Sequence, residues 1–201
     1  MSKITTLFLD IGGVLMTNGW DRISREKAAQ AFDFDVVEFD QRHHQFFNLF
    51  ETGKITLEDY LREAIFWTER SFSMEKFKEF MLAQSKPYPD MIAFFNQLKK
   101  EYGFRVAAIS NEGHELAEYR IKIGHLKTLM DDFFISSFVG YQKPDPHIFR
   151  IALDVTQTRP HNAFYVDDRK ELVEAAVQLG IKGIQQTSLL ETRRVLLNHL
   201  S

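Results

Sequence analysis

The sequence contains no cysteine. That absence excludes disulfide frameworks, thiolate zinc sites and cysteine nucleophiles together, and it fits a reducing compartment. Long apolar runs are also missing: none approaches the roughly 18 residues that a membrane-spanning helix needs. The N-terminal stretch reaches Asp10 before a signal-peptide core could form. Nor is there a block of like charges. With 25 Lys and Arg against 28 Asp and Glu, the formal net charge is −3. No basic stripe offers itself to nucleic acid or to an anionic membrane. Internal repeats and low-complexity tracts are absent. The expectation is a soluble, cytoplasmic protein with neither nucleic acid nor membrane as partner.

What is present is an ordinary globular composition, 44% hydrophobic and 26% charged over 201 residues. That length accommodates one large domain or a core carrying one insertion. Thr6 to Leu9, Arg105 to Ile109 and Ala163 to Val166 are short, nearly all-apolar runs, with weaker ones at Phe133 to Ile135 and Gly183-Ile184. Such strands suit a parallel sheet covered on both faces. Amphipathic stripes lie between them: Met91, Ile92, Phe95 and Leu98 after Pro89, then Ile148 to Leu153, then Leu172 to Val177. This alternation predicts an α/β, doubly wound, mostly parallel sheet. From Thr17 to Ser85 no strand signal appears. Helical segments are expected at Lys27 to Phe34, Val36 to Phe50, Leu57 to Phe66 and Met74 to Leu82. Residues 17–85 therefore read as a small all-helical insertion, and residues 1–16 with 86–201 as the α/β core.

In open α/β sheets, ligands bind beyond the carboxyl ends of the strands. Three such ends here carry Asp10, Ser110 and the pair Asp167/Asp168. Each taken singly reads as a helix cap, because Asp, Ser and Asn are the preferred capping residues. All three together, with Gly12-Gly13 allowing close backbone approach, point to phosphoryl transfer. A carboxylate such as Asp10 can attack phosphorus. It must overcome about 4 kcal/mol of repulsion from one phosphate charge about 4 Å away at an effective dielectric near 20. A divalent cation and a lysine would cancel that. Asp10, Asp167 and Asp168 form an all-oxygen donor set suited to Mg²⁺. Lys143 could supply a fixed positive charge, although a lysine in a loop is ordinarily solvated. Ser110 and Asn111, with the amides that follow, could hold phosphate oxygens. No GxxxxGK[ST] loop occurs, which argues against a nucleotide-driven motor.

Asp10-Ile11-Gly12-Gly13-Val14-Leu15, Ser110-Asn111, Lys143-Pro144 and Asp167-Asp168 resemble, in order, the four motifs of the haloacid dehalogenase (HAD) superfamily. Phe50-Glu51-Thr52-Gly53-Lys54-Ile55-Thr56 is similar to the turn of that superfamily's helical cap. The resemblance implies a Rossmann-like core with a cap inserted after the first motif. It implies Asp10 as nucleophile, Lys143 as the group stabilising a phosphoaspartate, and Ser110 and Asn111 as substrate-binding residues. Asp10, the Gly12 carbonyl, Asp167 and Asp168 would hold Mg²⁺, with Asp168 the more direct ligand of the last pair. The implied activity is hydrolysis of a small phosphorylated metabolite, such as a sugar phosphate.

Gly12 departs from the pattern, because most of these phosphatases carry there an aspartate that protonates the leaving group. Two alternatives follow. One is a phosphate- and metal-binding regulatory module with impaired turnover; the other is a different HAD chemistry such as dehalogenation. Glu112 reads as a first-turn acid facing a helix dipole and His43/His44 as a solvated face. The inserted phenylalanines read as core, while Trp20 and Trp67 could pack or stack on a ligand.

Overall fold

The structure, a computed structural model, describes residues 3–200; Met1, Ser2 and Ser201 lie outside the described residues. Five strands form one parallel sheet: β1 (Thr6–Leu9), β2 (Arg105–Ser110), β3 (Asp132–Ile135), β4 (Ala163–Asp167) and β5 (Lys182–Gln185). Their spatial order is β3-β2-β1-β4-β5. The chain therefore runs outward from β1 in one direction, then crosses back to its other side. Side chains alternate between faces along a strand, which divides the core in two. Leu7, Leu9, Val106, Ala108 and Val166 pack on one face against α5 (Pro89–Tyr102), α6 (His114–Ile123) and α10 (Leu189–Leu200). Phe8, Ala107, Ile109 and Tyr165 pack on the other against α8 (Pro146–Thr156) and α9 (Lys170–Gln178). A four-residue helix, α7 (Ser136–Val139), follows β3. Both faces are covered, which is why these strands read as continuous apolar runs.

Between β1 and α5 the chain forms four helices: α1 (Arg22–Phe32), α2 (Val36–Glu51), α3 (Leu57–Ala64) and α4 (Met74–Ala83). Their ends are set by side chains that accept the free amides of the first turn. Asp35 caps α2, Ser73 caps α4, and Thr56 with Asp59 forms a reciprocal capping box on α3. Asp21 accepts from the Ser24 amide and starts α1 at Arg22, ahead of the Lys27 suggested by periodicity alone. Phe39, Phe50, Tyr60, Phe77 and Met81 build a hydrophobic cluster within these helices, with Phe32, Phe34, Phe46, Phe47 and Phe66 packed around it. The phenylalanines of this region are core, as expected. So is Trp20, which is buried and donates to the Tyr60 hydroxyl at 3.0 Å. Trp67 stays exposed, with the Arg42 guanidinium 4.0 Å above its ring.

The two strands of chain that join this helical unit to the sheet run side by side. The Thr17 amide donates to the Lys86 carbonyl at 2.9 Å, and the Thr17 hydroxyl to the Gln84 carbonyl at 2.7 Å. Among the described residues no helix is long and apolar enough to cross a membrane.

Candidate active site

The three central strands end together, with Leu9 level with Ala108 on one side and Val166 on the other. The residues at these ends therefore converge, as the order of the sheet requires at its point of reversal. Asp10 is almost fully buried, and its Oδ1 accepts from the Ile11 amide at 2.8 Å. Lys143 Nζ lies 3.0 Å from Asp10 Oδ1 and 2.7 Å from Asp167 Oδ2, and it donates to the Tyr165 hydroxyl at 3.0 Å. Tyr165 in turn donates to Asp167. The expectation that a loop lysine is solvated fails here: Lys143 is 3% exposed. Two carboxylates and a phenol replace the water that its ammonium gives up.

Asn111 explains how a loop can hold that lysine. Its side-chain oxygen accepts from the Lys143 amide at 2.7 Å, and its amide donates to the Lys143 carbonyl at 2.8 Å. Both polar ends of the side chain expected to bind substrate are thus spent on the Lys143 main chain. Ser110, also buried, sends its hydroxyl to Glu112 Oε1 at 3.3 Å. Glu112 is not the first-turn acid facing a helix dipole that the sequence suggests. It is 4% exposed, precedes α6, and pairs with the buried Arg120 at 3.3 Å. Arg120 also donates to the Thr17 carbonyl at 2.7 Å, which joins this cluster to the linker.

Asp10, Asp167 and Asp168 each offer a carboxylate oxygen, and these atoms lie within 4.8 Å of one another. Three hard anionic oxygens in that space fit a small divalent cation such as Mg²⁺. Asp168 Oδ2 accepts from Asn18 at 3.0 Å. Gly13 has φ +67°, and a Cβ there would lie 2.1 Å from Asp168 Oδ2. Only glycine satisfies both demands. Gly12 sits outside the left-handed region; a Cβ on it would meet Asn18 Oδ1 at 2.8 Å.

The charges are finely opposed. Burial pushes the Asp10 carboxyl up to about 7, with Lys143 pulling against that rise and Asp167 adding to it. Burial also disfavours the Asp167 carboxylate, but Lys143 outweighs it and holds Asp167 below the usual carboxylate range. For Asp168 burial wins over the Asn18 hydrogen bond, and the carboxyl is raised. Lys143 is held above the ordinary lysine value because Asp10 and Asp167 outweigh its burial.

The sequence model of the haloacid dehalogenase-like hydrolases matches residues 4–180. The chain belongs to that family. A D-ribitol-5-phosphate phosphatase of Bacteroides thetaiotaomicron is 25% identical over 203 residues, covering 90% of this chain and 91% of that protein. An (S)-2-haloacid dehalogenase of Pseudomonas sp. is 26% identical over 98 residues, 49% of this chain and 43% of that one. Among solved structures, a HAD family enzyme of Bacteroides thetaiotaomicron in complex with magnesium and inorganic phosphate superposes with TM-score 0.77 at 18% identity. It covers 92% of this chain and 96% of that one.

In this haloacid dehalogenase-like hydrolase the strand ends open into a cavity of about 560 Å³. Asp10, Ser110, Lys143 and Asp168 form its floor; Arg25, His43, His44, Asn48 and Glu51 face it from the helical unit. His43 corrects the reading of a solvated face: it is 3% exposed, and its Nδ1 shares a 2.8 Å hydrogen bond with the Tyr60 hydroxyl. Burial, reinforced by the Arg25 charge, drives it down to about 3, so the ring is neutral. His44 beside it is exposed. Asn18, Arg25, Arg120 and Tyr165 carry no motif that marks them in a lone sequence, and nothing in the cap-like turn Phe50 to Thr56 singles out Glu51. Each occupies an ordinary helical, strand or linker position, and only the fold brings it to the cavity.

Proposed function

We propose that this protein is a Mg²⁺-dependent phosphomonoester hydrolase acting on a small phosphorylated metabolite, a sugar or polyol phosphate. The observation that carries this reading is the buried Lys143 held between Asp10 and Asp167, beside three carboxylate oxygens spaced for one cation. Asp10, the Gly12 carbonyl and Asp168 would hold the metal, with Asp167 behind them fixing Lys143. When bound, the cation supplies positive charge to the phosphate oxygens and lets a carboxylate approach phosphorus.

Asp10 is the nucleophile: its free oxygen attacks phosphorus, the bond to the ester oxygen breaks, and a phosphoaspartate forms. Lys143 needs no reorganisation to neutralise the charge gathering on the phosphoryl oxygens, because Asn111 already holds its main chain. The Ser110 hydroxyl and the amides before α6 receive another phosphoryl oxygen. The helical unit 17–85 acts as the cap. It covers a space within the roughly 300–1,000 Å³ of small-molecule sites and lines it with groups, such as Arg25 and Asn48, that can read hydroxyls. The full-length similarity to a ribitol-phosphate phosphatase supports the same substrate class.

Gly12 favours a second reading, a phosphate-binding module with little turnover. The dehalogenase relative matches half of this chain, yet dehalogenation uses no metal, which leaves the Asp168 carboxylate beside Asp10 without a cation to hold. A panel of phosphorylated metabolites assayed with and without Mg²⁺ separates these readings. The phosphatase reading expects turnover that chelation abolishes. Chelator-resistant turnover, or none at all, would overturn it.

A further inference from the structure

The proposed reaction lacks a proton donor. At position 12, where an aspartate would stand over the leaving oxygen, there is hydrogen alone. Of the other acids and bases around the cavity, His44 is exposed and serves as the rival candidate, and the rest are engaged. Glu112 faces Ser110 and Arg120, Asp21 caps α1, and His43 is neutral and turned to Tyr60.

Glu51 is different. It is the last residue of α2, it lines the same cavity as Asp10, and the chain on either side of it is fastened to the core. Phe50 is fully buried with its ring on the backbone of Gly113, so close that a Cβ there would lie 1.9 Å from it. Gly53, at φ +70°, packs its backbone on α7; a Cβ would sit 2.4 Å from the Ser137 carbonyl oxygen. The Leu57 amide donates to Glu115 at 3.0 Å, and Gln142, next to Lys143, reaches Asn48 at 3.4 Å. These contacts pin the end of α2 and its turn against the core on several sides. A glutamate between them is presented to the cavity by a fixed piece of backbone, not by a mobile loop.

We propose that Glu51 is the catalytic acid and base of this hydrolase, supplied by the helical unit in place of the residue missing at Gly12. The inference rests on the phosphatase reading. In the first step Asp10 attacks phosphorus, the bond between phosphorus and the ester oxygen breaks, and that oxygen takes the proton of Glu51 and leaves as the alcohol. In the second, the Glu51 carboxylate takes a proton from water. The water oxygen attacks phosphorus, the bond to Asp10 breaks, and phosphate leaves with Asp10 and Glu51 restored. The charged groups facing Glu51 are Glu112, Lys143, Arg169 and Asp10. Burial first, then the Glu112 carboxylate, pushes Glu51 up to about 8 against the pull of Lys143 and Arg169, so it carries its proton near neutrality.

The test compares wild type, Glu51→Gln and Glu51→Asp with Mg²⁺ on an alkyl phosphate and on p-nitrophenyl phosphate, whose leaving group needs no proton. Glu51→Gln should lower kcat/KM for the alkyl ester by about 10²–10⁴-fold and for the aryl ester by less than about tenfold. With the aryl ester it should also release a rapid stoichiometric burst of nitrophenolate before slow turnover, because water attack still needs the base. Glu51→Asp should recover part of the alkyl activity, and Mg²⁺ affinity by calorimetry should match wild type in both. Equal losses on the two esters, or no burst, would overturn the assignment of Glu51 while leaving the phosphatase reading intact. So would the same signature arising from His44→Ala in place of Glu51→Gln. A wild type inactive on both esters and on the metabolite panel would overturn the phosphatase reading itself.

Discussion

Lys143 Nζ sits 3.0 Å from Asp10 Oδ1, both side chains nearly removed from solvent, so the proposed nucleophile is held ready by a cation that cannot drift. Removing the nucleophilic oxygen while keeping the shape isolates its role. Asp10→Asn should fold and lose activity far below a tenth of wild type, since a covalent route has no substitute for the attacking carboxylate. The same variant reports on the buried charge in chelator. Burial raises Asp10 from 3.8 to about 7, so across that interval the native state binds more protons than the unfolded chain, and stability falls as pH rises. Denaturant titrations at several pH values should show this fall in wild type and a shallower one in Asp10→Asn. A tenth or more of wild-type activity remaining in the variant would exclude the covalent mechanism.

Asp168 is half-buried, raised by its burial and steadied by Asn18. Replacing it by alanine deletes one anionic oxygen from a site proposed for a cation that demands near-octahedral geometry. Asp168→Ala should raise the Mg²⁺ concentration for half-maximal activity by tenfold or more, an order consistent with losing a ligand. Calorimetry should show the matching loss of affinity. Unchanged binding would mean that the pair Asp167/Asp168 serves the fold instead.

How far the sequence reveals this site depends on which side of the cavity is considered. The floor was legible because Asp10, Ser110 and Asp167 interrupt apolar runs, and a polar residue at a strand end needs a reason. The five strands were legible for the same cause: burial on both faces leaves an uninterrupted apolar signature. Lys143 was legible in kind but not in burial, since the Asn111 clamp and the two carboxylates that bury it come from distant segments. The wall was legible only in outline: Glu51 falls in the cap-like turn Phe50 to Thr56, but nothing there marks its chemistry. Glu51 and Arg25 end or interrupt helices where charged residues ordinarily face water, and His43 lies in an His-His pair with nothing to mark which ring turns inward. Arg120 resembles any arginine on an amphipathic helix; only the packing of α6 under the linker makes it a buried partner of Glu112.

His43 gives the helical unit a pH dependence of its own. Its imidazole titrates at about 3 in the fold against 6.5 when free. Below 6.5 the unfolded chain takes up a proton that the native state refuses, so stability is full above 6.5 and is lost progressively as pH falls toward 3. Between pH 6.5 and pH 5 this amounts to about 2 kcal/mol at about 1.4 kcal/mol per unit. His43→Asn, whose amide can still meet the Tyr60 hydroxyl, should be less stable at neutral pH because it leaves a small void, yet its stability should change less between pH 7 and pH 5. Chemical denaturation at the two pH values measures the difference. Parallel slopes in wild type and variant would show that the ring titrates normally in the fold.

Gly12 offers the sharpest test of where the proton comes from. Its backbone lies outside the left-handed region, so an aspartate there escapes the penalty of a positive φ. The obstacle is Asn18, whose Oδ1 would stand 2.8 Å from the new Cβ and whose amide holds Asp168. Gly12→Asp should therefore weaken Mg²⁺ binding somewhat, and this has to be measured and saturated before rates are compared. If Glu51 already protonates the leaving group, a second acid is redundant, and Gly12→Asp alone should change the alkyl-to-aryl ratio of kcat/KM by less than about tenfold. In a Glu51→Gln background the same substitution should raise that ratio, by a factor bounded by the roughly 10²–10⁴ that general acid catalysis provides. The four enzymes form a double-mutant cycle, and redundancy predicts strong coupling between the two positions. Equal gains in both backgrounds would mean that Gly12→Asp acts independently of Glu51, and the wild-type proton would then have to come from another group.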